Sequence, residues 1–331
     1  MKKLISKSER FFIAGSRGMV GQAIVKNLRK LGYGRNEHGG VLLTPSRKEL
    51  NLLNQKDVEK WFSKYKPTVV ILAAAKVGGI QANNSMPADF ILENLKIQNN
   101  VIENSWRTNV KRFLFLGSSC IYPKFAEQPI KEEYLLEGQL EKTNEWYAIA
   151  KIAGLKLCNA LRMQHGFDAI SLMPTNLYGP GDNYHPENSH VMAALISKFS
   201  NASLESKSFV ECWGSGTPLR EFLHVDDLGD AAVFCLENWQ PDSANSPKDS
   251  YGNALNHLNV GTGKDISIKE LAKKISDFSR FNGETIWDKT KPDGTPKKQL
   301  DTSKITKLGW LPKIKLDDGI KETINLYKNS L

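Results

Sequence analysis

Apolar and polar positions follow two alternating periods through the first half of the chain. The short apolar runs RFFIAG (10–15), GGVLLT (39–44), TVVILAAA (68–75), KRFLFLGSS (111–119) and DAISLMP (168–174) read as buried strands. Between them, apolar residues three and four apart predict helices over 19–32, 57–65, 87–108 and 145–166, the third opened by Pro87. Strands alternating with helices imply an α/β fold, a doubly wound parallel sheet with helices on both faces. After Pro174 the pattern breaks into Gly- and Pro-rich loops. Residues 224–238 read as a helix that returns to the first unit, and 241–253 as a polar surface loop. A strand over 257–261 and a helix over 266–279 belong to a smaller C-terminal α/β unit, which closes on KLDDGIKETINLYKN (315–329). The expected division is therefore one domain over 1–174, rejoined by 221–240, and a second formed by 175–220 and 241–331.

Composition narrows the chemistry mainly by exclusion. A chain of 331 residues builds a core without disulfides or metals. The cysteines at 120, 158, 212 and 235 form no CxxC pair, and His185, His224 and His257 show no ligand spacing, so no metal site is expected. Cys158, Cys212 and Cys235 read as packing residues, and a reducing cytoplasm is the natural setting. No apolar run approaches the ~18 residues of a membrane span, and the N-terminus lacks the features of a signal peptide. The formal charge of +9 comes from scattered lysines, which read as solvated faces rather than a nucleic-acid surface. A small phosphorylated ligand suits the same charge.

Such a ligand has an evident place. The first strand runs into GSRGMVG, with glycines at 15, 18 and 21, and then into a helix. A tight turn and a close backbone approach to pyrophosphate both require residues without Cβ, and the helix start supplies N–H donors, as in a Rossmann-type dinucleotide site. Gly15, Ser16, Arg17, Gly18, Met19, Val20 and Gly21 are thus candidate cofactor residues. The second strand ends in LLTPSRKEL, where Ser46 and Arg47 stand in place of the acid that would hold a ribose diol. With Arg17 in the loop itself, two guanidinium groups can reach a 2′-phosphate, which favours NADP(H).

Tyr147 and Lys151, in TNEWYAIAKIAG, are four apart on one helix face. A ketone reductase needs a proton donor for the forming alkoxide, and a free phenol titrates too high, near 10. Lowering it to about 7 takes about 4 kcal/mol, roughly what a cation ~4 Å away supplies at an effective dielectric of 20. Ser118, at the end of the fourth strand, can donate to the same carbonyl oxygen. With the glycine loop upstream, this combination resembles the extended short-chain dehydrogenase/reductase superfamily.

Within that superfamily, GSSCIYPK, NEWYAIAKIAG, MPTNLYGPGDNYHPENSHV, WGSGTPLREFLHVDD, NVGTG and KPDGTPKKQLD, in this order, resemble the GDP-L-fucose synthase family over nearly the whole chain. The stretch AAAKVGGIQANN (73–84) belongs to the same pattern. The resemblance implies 3,5-epimerisation of GDP-4-keto-6-deoxy-D-mannose followed by NADPH reduction at C4. It assigns catalysis to Ser118, Cys120, Tyr147, Lys151 and His190. It also places Leu116, Gly117, Ser118, Ser119, Lys151, Pro174, Thr175, Asn176, Leu177 and His190 against the cofactor. Lys198, Trp213, Arg220 and Asp293 match positions that hold the GDP-sugar, although Trp213 also suits a core and Asp293 a turn.

That chemistry gives the thiol behind the fourth strand a reason. A 4-keto group acidifies C3–H and C5–H, and inversion needs a base on one face and an acid on the other. Ser118 and Cys120, two apart, point the same way if the backbone is extended. Cys120 can then reach a C–H beside the carbonyl that Ser118 holds, and an imidazole titrating near 6.5 is a suitable partner at His190. Which of the two removes each proton stays open at this level. By the same resemblance the long helices over 87–108 and 145–165 would form a four-helix homodimer interface. The rival readings are a related nucleotide-sugar 4-reductase or epimerase, as in dideoxy-sugar synthesis, and a non-catalytic NADP-binding sensor.

Overall fold

The computed structural model describes residues 3–331 apart from 187, 188 and 292. Its elements run β1 (Arg10–Ala14), α1 (Met19–Lys30), β2 (Val41–Leu43), α2 (Gln55–Tyr65), β3 (Val69–Leu72), α3 (Ile80–Ser85), α4 (Pro87–Arg107), β4 (Arg112–Leu116), α5 (Glu145–His165) and β5 (Ala169–Pro174). There follow β6 (Asn176–Tyr178), α6 (Val191–Leu204), β7 (Phe209–Trp213), β8 (Leu219–His224), α7 (Val225–Asn238), β9 (His257–Val260) and β10 (Asp265–Ser267). The chain ends with α8 (Ile268–Ser279), β11 (Glu284–Asp288), β12 (Lys297–Lys298), α9 (Ser303–Lys307) and α10 (Leu316–Asn329).

The main sheet has six parallel strands in the order β2-β1-β3-β4-β5-β9. Its strands are apolar on both faces because both faces are covered. Phe11, Ile13, Val69, Ile71, Leu114 and Leu172 meet α1 and α7, whereas Phe12, Val70, Leu72, Phe113 and Phe115 meet α2, α4 and α5. This alternation is the two-residue period of a strand written into two separate cores. The chain passes from β1 outward to β2 and then returns to β3 on the other side of β1, which opens a crevice at the carboxyl ends of these strands.

The strand expected at 257–261 departs from the sequence reading in its location. It is β9, paired with β5 in register Ser171↔His257 to Pro174↔Val260, and so belongs to the main sheet rather than to the C-terminal unit. Leu258, Val260, Ile305 and Trp310 share the core beneath α7. A short apolar run does not disclose which sheet edge it will extend.

The remaining elements build around β8. It pairs in parallel with β6 and β12 and antiparallel with β10, while β7 and β11 form a separate parallel pair. A third core, with Met192, Ile196, Phe199, Leu271, Ile275 and Ile324, joins α6, α8 and α10. Helix α8 starts with a full capping box between Ser267 and Glu270. Among the described residues no helix is long and apolar enough to cross a membrane.

Candidate active site

The glycine loop lies at the crevice between β1 and β3. Gly15 has φ +89°, and a Cβ there would stand 2.6 Å from Ala74 N, so the residues after β3 press directly on the loop. A Cβ on Gly21 would fall 2.1 Å from Gly15 O, because α1 packs closely against the loop. Gly18 differs: its φ is −78°, and an added Cβ would meet nothing nearer than 3.5 Å. The fold itself does not require Gly18, which leaves its cleared space available to a ligand.

Two further observations fit the pyrophosphate of a dinucleotide. Ser16 Oγ is buried without a hydrogen-bond partner, and α1 begins with no side-chain cap and no acid in its first turn. Its free N–H groups at Met19 and Val20 are therefore available to an anion. Arg17 and Arg47 are exposed, with Glu49 close enough to feel Arg17. These residues fit NADP(H): the loop offers free donors suited to its phosphates, and the two exposed arginines offer charge suited to a 2′-phosphate.

The catalytic candidates assemble where β4 and β5 end. Ser118 is extended (φ −162°, ψ 150°), but the chain then turns through a 3-10 helix over Ser119–Ile121. The extended path expected from Ser118 to Cys120 is thus replaced by a turn, in which Cys120 N donates to Ser118 Oγ at 3.2 Å. The turn still brings the side chains together. The Ser118 hydroxyl is a hydrogen-bonding neighbour of both the Cys120 thiol and the Tyr147 phenol.

Lys151 corrects a second expectation. Its Nζ donates to Leu116 O at 2.8 Å and stands 5.8 Å from the Tyr147 ring centre. Its partner is the end of β4 rather than the phenol, because a buried ammonium takes the nearest unpaired carbonyl. Burial lowers Lys151 to about 8. Burial and the neighbouring Cys120 raise Tyr147 instead of lowering it, although Ser118 opposes them. The phenol consequently holds its proton in this geometry.

Cys120 has a distinct environment. Burial alone would raise its thiol, but Lys298, Ser118 and Arg220 outweigh burial and bring it below the ordinary value. Lys298 Nζ lies 3.4 Å from Sγ, and Asn144 Nδ2 donates to Sγ at 3.3 Å. Neither residue was singled out from sequence. The available signal was their position inside NEWYAIAKIAG and KPDGTPKKQLD. His190 occupies the N-cap position of α6 without making a capping bond, and the residue as a whole is exposed. The protein packed around that ring lowers its pKa, and Lys298 adds to the effect.

Other sequence-predicted residues divide into engaged and open groups. Leu116 and Ser119 are buried, and Gly117 faces Met173, where a Cβ would meet Sδ at 2.3 Å. Past Pro174, Thr175 Oγ1 and Asn176 Nδ2 both donate to Glu221 O, at 3.2 and 2.8 Å, so these side chains are engaged within the protein; Leu177 packs against the core beneath α7. Trp213 is 50% exposed and lies under Lys198 (5.4 Å) and Lys291 (5.6 Å), which rules out the core alternative. Asp293 accepts from Ser215 N and Ser215 Oγ at 2.7 and 2.8 Å, tying its turn to the loop after Trp213. Arg220 is half-buried between this group and Cys120. Cys158, Cys212 and Cys235 are buried and free, with thiols raised by burial.

Comparison with known proteins adds an independent line. The profile of the NAD dependent epimerase/dehydratase family matches residues 11–250. The chain is 53% identical to GDP-L-fucose synthase 1 of Arabidopsis thaliana over 99% of its own length and 95% of the relative's. It is 48% identical to GDP-L-fucose synthase of Escherichia coli K12, covering 96% of each. Among solved structures, the NADP-bound GDP-mannoheptose C4 reductase of Campylobacter jejuni superposes with a TM-score of 0.85 at 39% identity, covering 98% of this chain and 99% of that one.

Proposed function

The chain belongs to the NAD dependent epimerase/dehydratase family and, within it, to the GDP-L-fucose synthases, and on that premise we propose that it converts GDP-4-keto-6-deoxy-D-mannose to GDP-L-fucose with NADP(H). The observation that carries this reading over that of a plain 4-reductase is the second acid–base pair beside the first. Ser118, Tyr147 and Lys151 suffice for reduction, yet the same cleft also holds Cys120 and His190, both within the field of Lys298.

In the epimerase steps the Cys120 thiolate takes the proton from the carbon beside the ketone. The C–H electron pair shifts toward the C4 oxygen, where Ser118 and Tyr147 hydrogen-bond the developing charge. His190 returns a proton from the opposite face, and both groups then re-equilibrate with water. In the reductive step Tyr147 gives its proton to the C4 oxygen, and Lys151, charged below about 8, favours that transfer. When bound, NADPH supplies the hydride received at C4. Gly15 to Gly21, Arg17 and Arg47 would hold the cofactor.

Lys198, Trp213, Arg220 and Asp293 form the GDP-sugar handle: two cations for pyrophosphate, an indole surface, and a carboxylate that orders the adjoining loop. The six-stranded unit is the nucleotide domain and the elements around β8 are the substrate domain. A homodimer through α4 and α5 is supported by Leu92, Trp146, Ile149 and Met163, which these two packed helices leave exposed. A cytoplasmic setting accords with four free thiols, one of them at the site.

The test is incubation with GDP-4-keto-6-deoxy-D-mannose and NADPH in D₂O, followed by NMR of the product. Deuterium at C3 and C5 of GDP-L-fucose is the expected result. Reduction at C4 without inversion or label would leave a plain reductase and remove the roles given to Cys120 and His190.

A further inference from the structure

Two nitrogen donors converge on Cys120 from opposite parts of the chain. Lys298 Nζ at 3.4 Å can only donate, and so can the Asn144 amide nitrogen at 3.3 Å. In this arrangement Asn144 leaves its own Oδ1 buried and without a partner. A neutral thiol would satisfy neither donor well, whereas a thiolate accepts from both.

Lys298 is held firmly in place. Its strand β12 pairs with β8 in register Lys297↔Leu219 and Lys298↔Arg220, which sets Lys298 beside Arg220. The next residue, Gln299, accepts from Ile130 N at 2.8 Å and donates to Gln128 Oε1 at 2.8 Å. Leu300 N donates to Glu221 Oε2, and Asp301 N to Ile130 O, each at 2.8 Å. Asn144 is equally constrained as the residue that immediately precedes α5.

We propose that Lys298 and Asn144 are positioning residues that hold Cys120 as a thiolate for the epimerase half of the reaction. The proposal rests on the reading above and extends it to two residues to which that reading gives no role of their own. Other charged or titratable groups facing the thiol are Arg220 on β8 and Tyr147 on α5, with Glu141 and Asp293 near Arg220, while His190 at the start of α6 lies within the field of Lys298. Among the described residues, Lys298 is the one cation that makes a hydrogen-bonding contact with this sulfur. The device is also non-local: the base is completed only when the segment 297–301 lies against β8 and residues 128–130.

The experiment is the pH dependence of Cys120 alkylation by iodoacetamide in the substrate-free protein, read by mass spectrometry for the native chain, Lys298→Met, Lys298→Arg and Asn144→Ala. The native midpoint should lie below the ordinary thiol value of ~8.5. Lys298→Met should raise it by about one unit or more, slowing alkylation about tenfold at neutral pH, while Lys298→Arg stays near native. Asn144→Ala should raise it by less. An unchanged midpoint in both Lys298→Met and Asn144→Ala would overturn the proposal. Buried Cys158, Cys212 and Cys235 report folding in the same spectra; if Lys298→Met exposes them, Lys298→Gln carries the same test. No substrate enters this titration, so its failure is separable from failure of the functional reading, which the D₂O product of the native protein decides.

Discussion

Lys151 Nζ donates to Leu116 O at 2.8 Å, so the lysine of α5 is moored to the last residue of β4 and not to the tyrosine one turn before it. This bond fixes α5 against the strand end that carries Ser118 and Cys120. It also keeps an ammonium in a buried place, where its pKa drops to about 8.

A pH limit on reduction follows. In the role proposed for it, Lys151 is charged below about 8 and assists proton donation by Tyr147; above that pH the charge, and with it the assistance, is lost. Steady-state NADPH oxidation with the ketosugar should therefore fall as pH rises through about 8. Lys151→Met should lower kcat roughly 10²–10⁴-fold and remove this alkaline limb.

Gly18 and Gly21 should respond in opposite ways to alanine. At Gly18 the new Cβ meets only ordinary contacts, so Tm should not change, while the methyl enters the space left for pyrophosphate. NADPH affinity by titration calorimetry should drop at least about tenfold, or about 1.4 kcal/mol. At Gly21 the Cβ would stand 2.1 Å from Gly15 O, and thermal unfolding should show a loss of about 1–3 kcal/mol before any ligand is added.

Glu221 is fully buried, and its carboxylate accepts from Thr262 N at 2.6 Å, Gly263 N at 2.8 Å and Leu300 N at 2.8 Å. It joins β8, the loop after β9 and the segment bearing Lys298. Glu221→Ala strands three backbone donors, and urea unfolding should register a loss of at least about 3 kcal/mol. Glu221→Gln, which keeps one acceptor, should lose less.

His257 introduces acid sensitivity into the fold. Burial lowers it from 6.5 to about 4, although its ring also bonds Glu132 O at 3.2 Å. Its folded pKa is depressed, so the native state favours the neutral ring. Stability from this group is complete above about 6.5 and is lost as pH falls from there toward about 4. The full loss is on the order of 3 kcal/mol. Urea midpoints should decline between pH 7 and 5, and less steeply in His257→Asn.

The dimer surface is tested by Trp146→Lys with Ile149→Glu. Both side chains are exposed on α5 beside α4, so the monomer fold should be kept. Sedimentation should move from dimer for the native chain to monomer for the variant. A native chain that sediments as a monomer at micromolar concentration would remove the interface.

Local geometry accounts for what was legible in the sequence. A two-residue period selects strand faces, a 3.6-residue period selects helix faces, and four residues along a helix bring Tyr147 and Lys151 onto one side. The glycine spacing of GSRGMVG likewise needs nothing beyond its own strand, turn and helix, and the family motifs are contiguous strings. The sequence alone thus determined the parallel α/β architecture and the glycine loop, and it supplied the candidates for the site at the end of β4. Tertiary structure decided which groups those residues meet. Lys151 finds a carbonyl 35 residues away, and Cys120 meets a lysine 178 residues away. β9 adds to β5 because that edge of the sheet is open to it, which no period within HLNVG can express. Pairings of this kind depend on how every intervening element packs, and the pKa of a buried group follows from them.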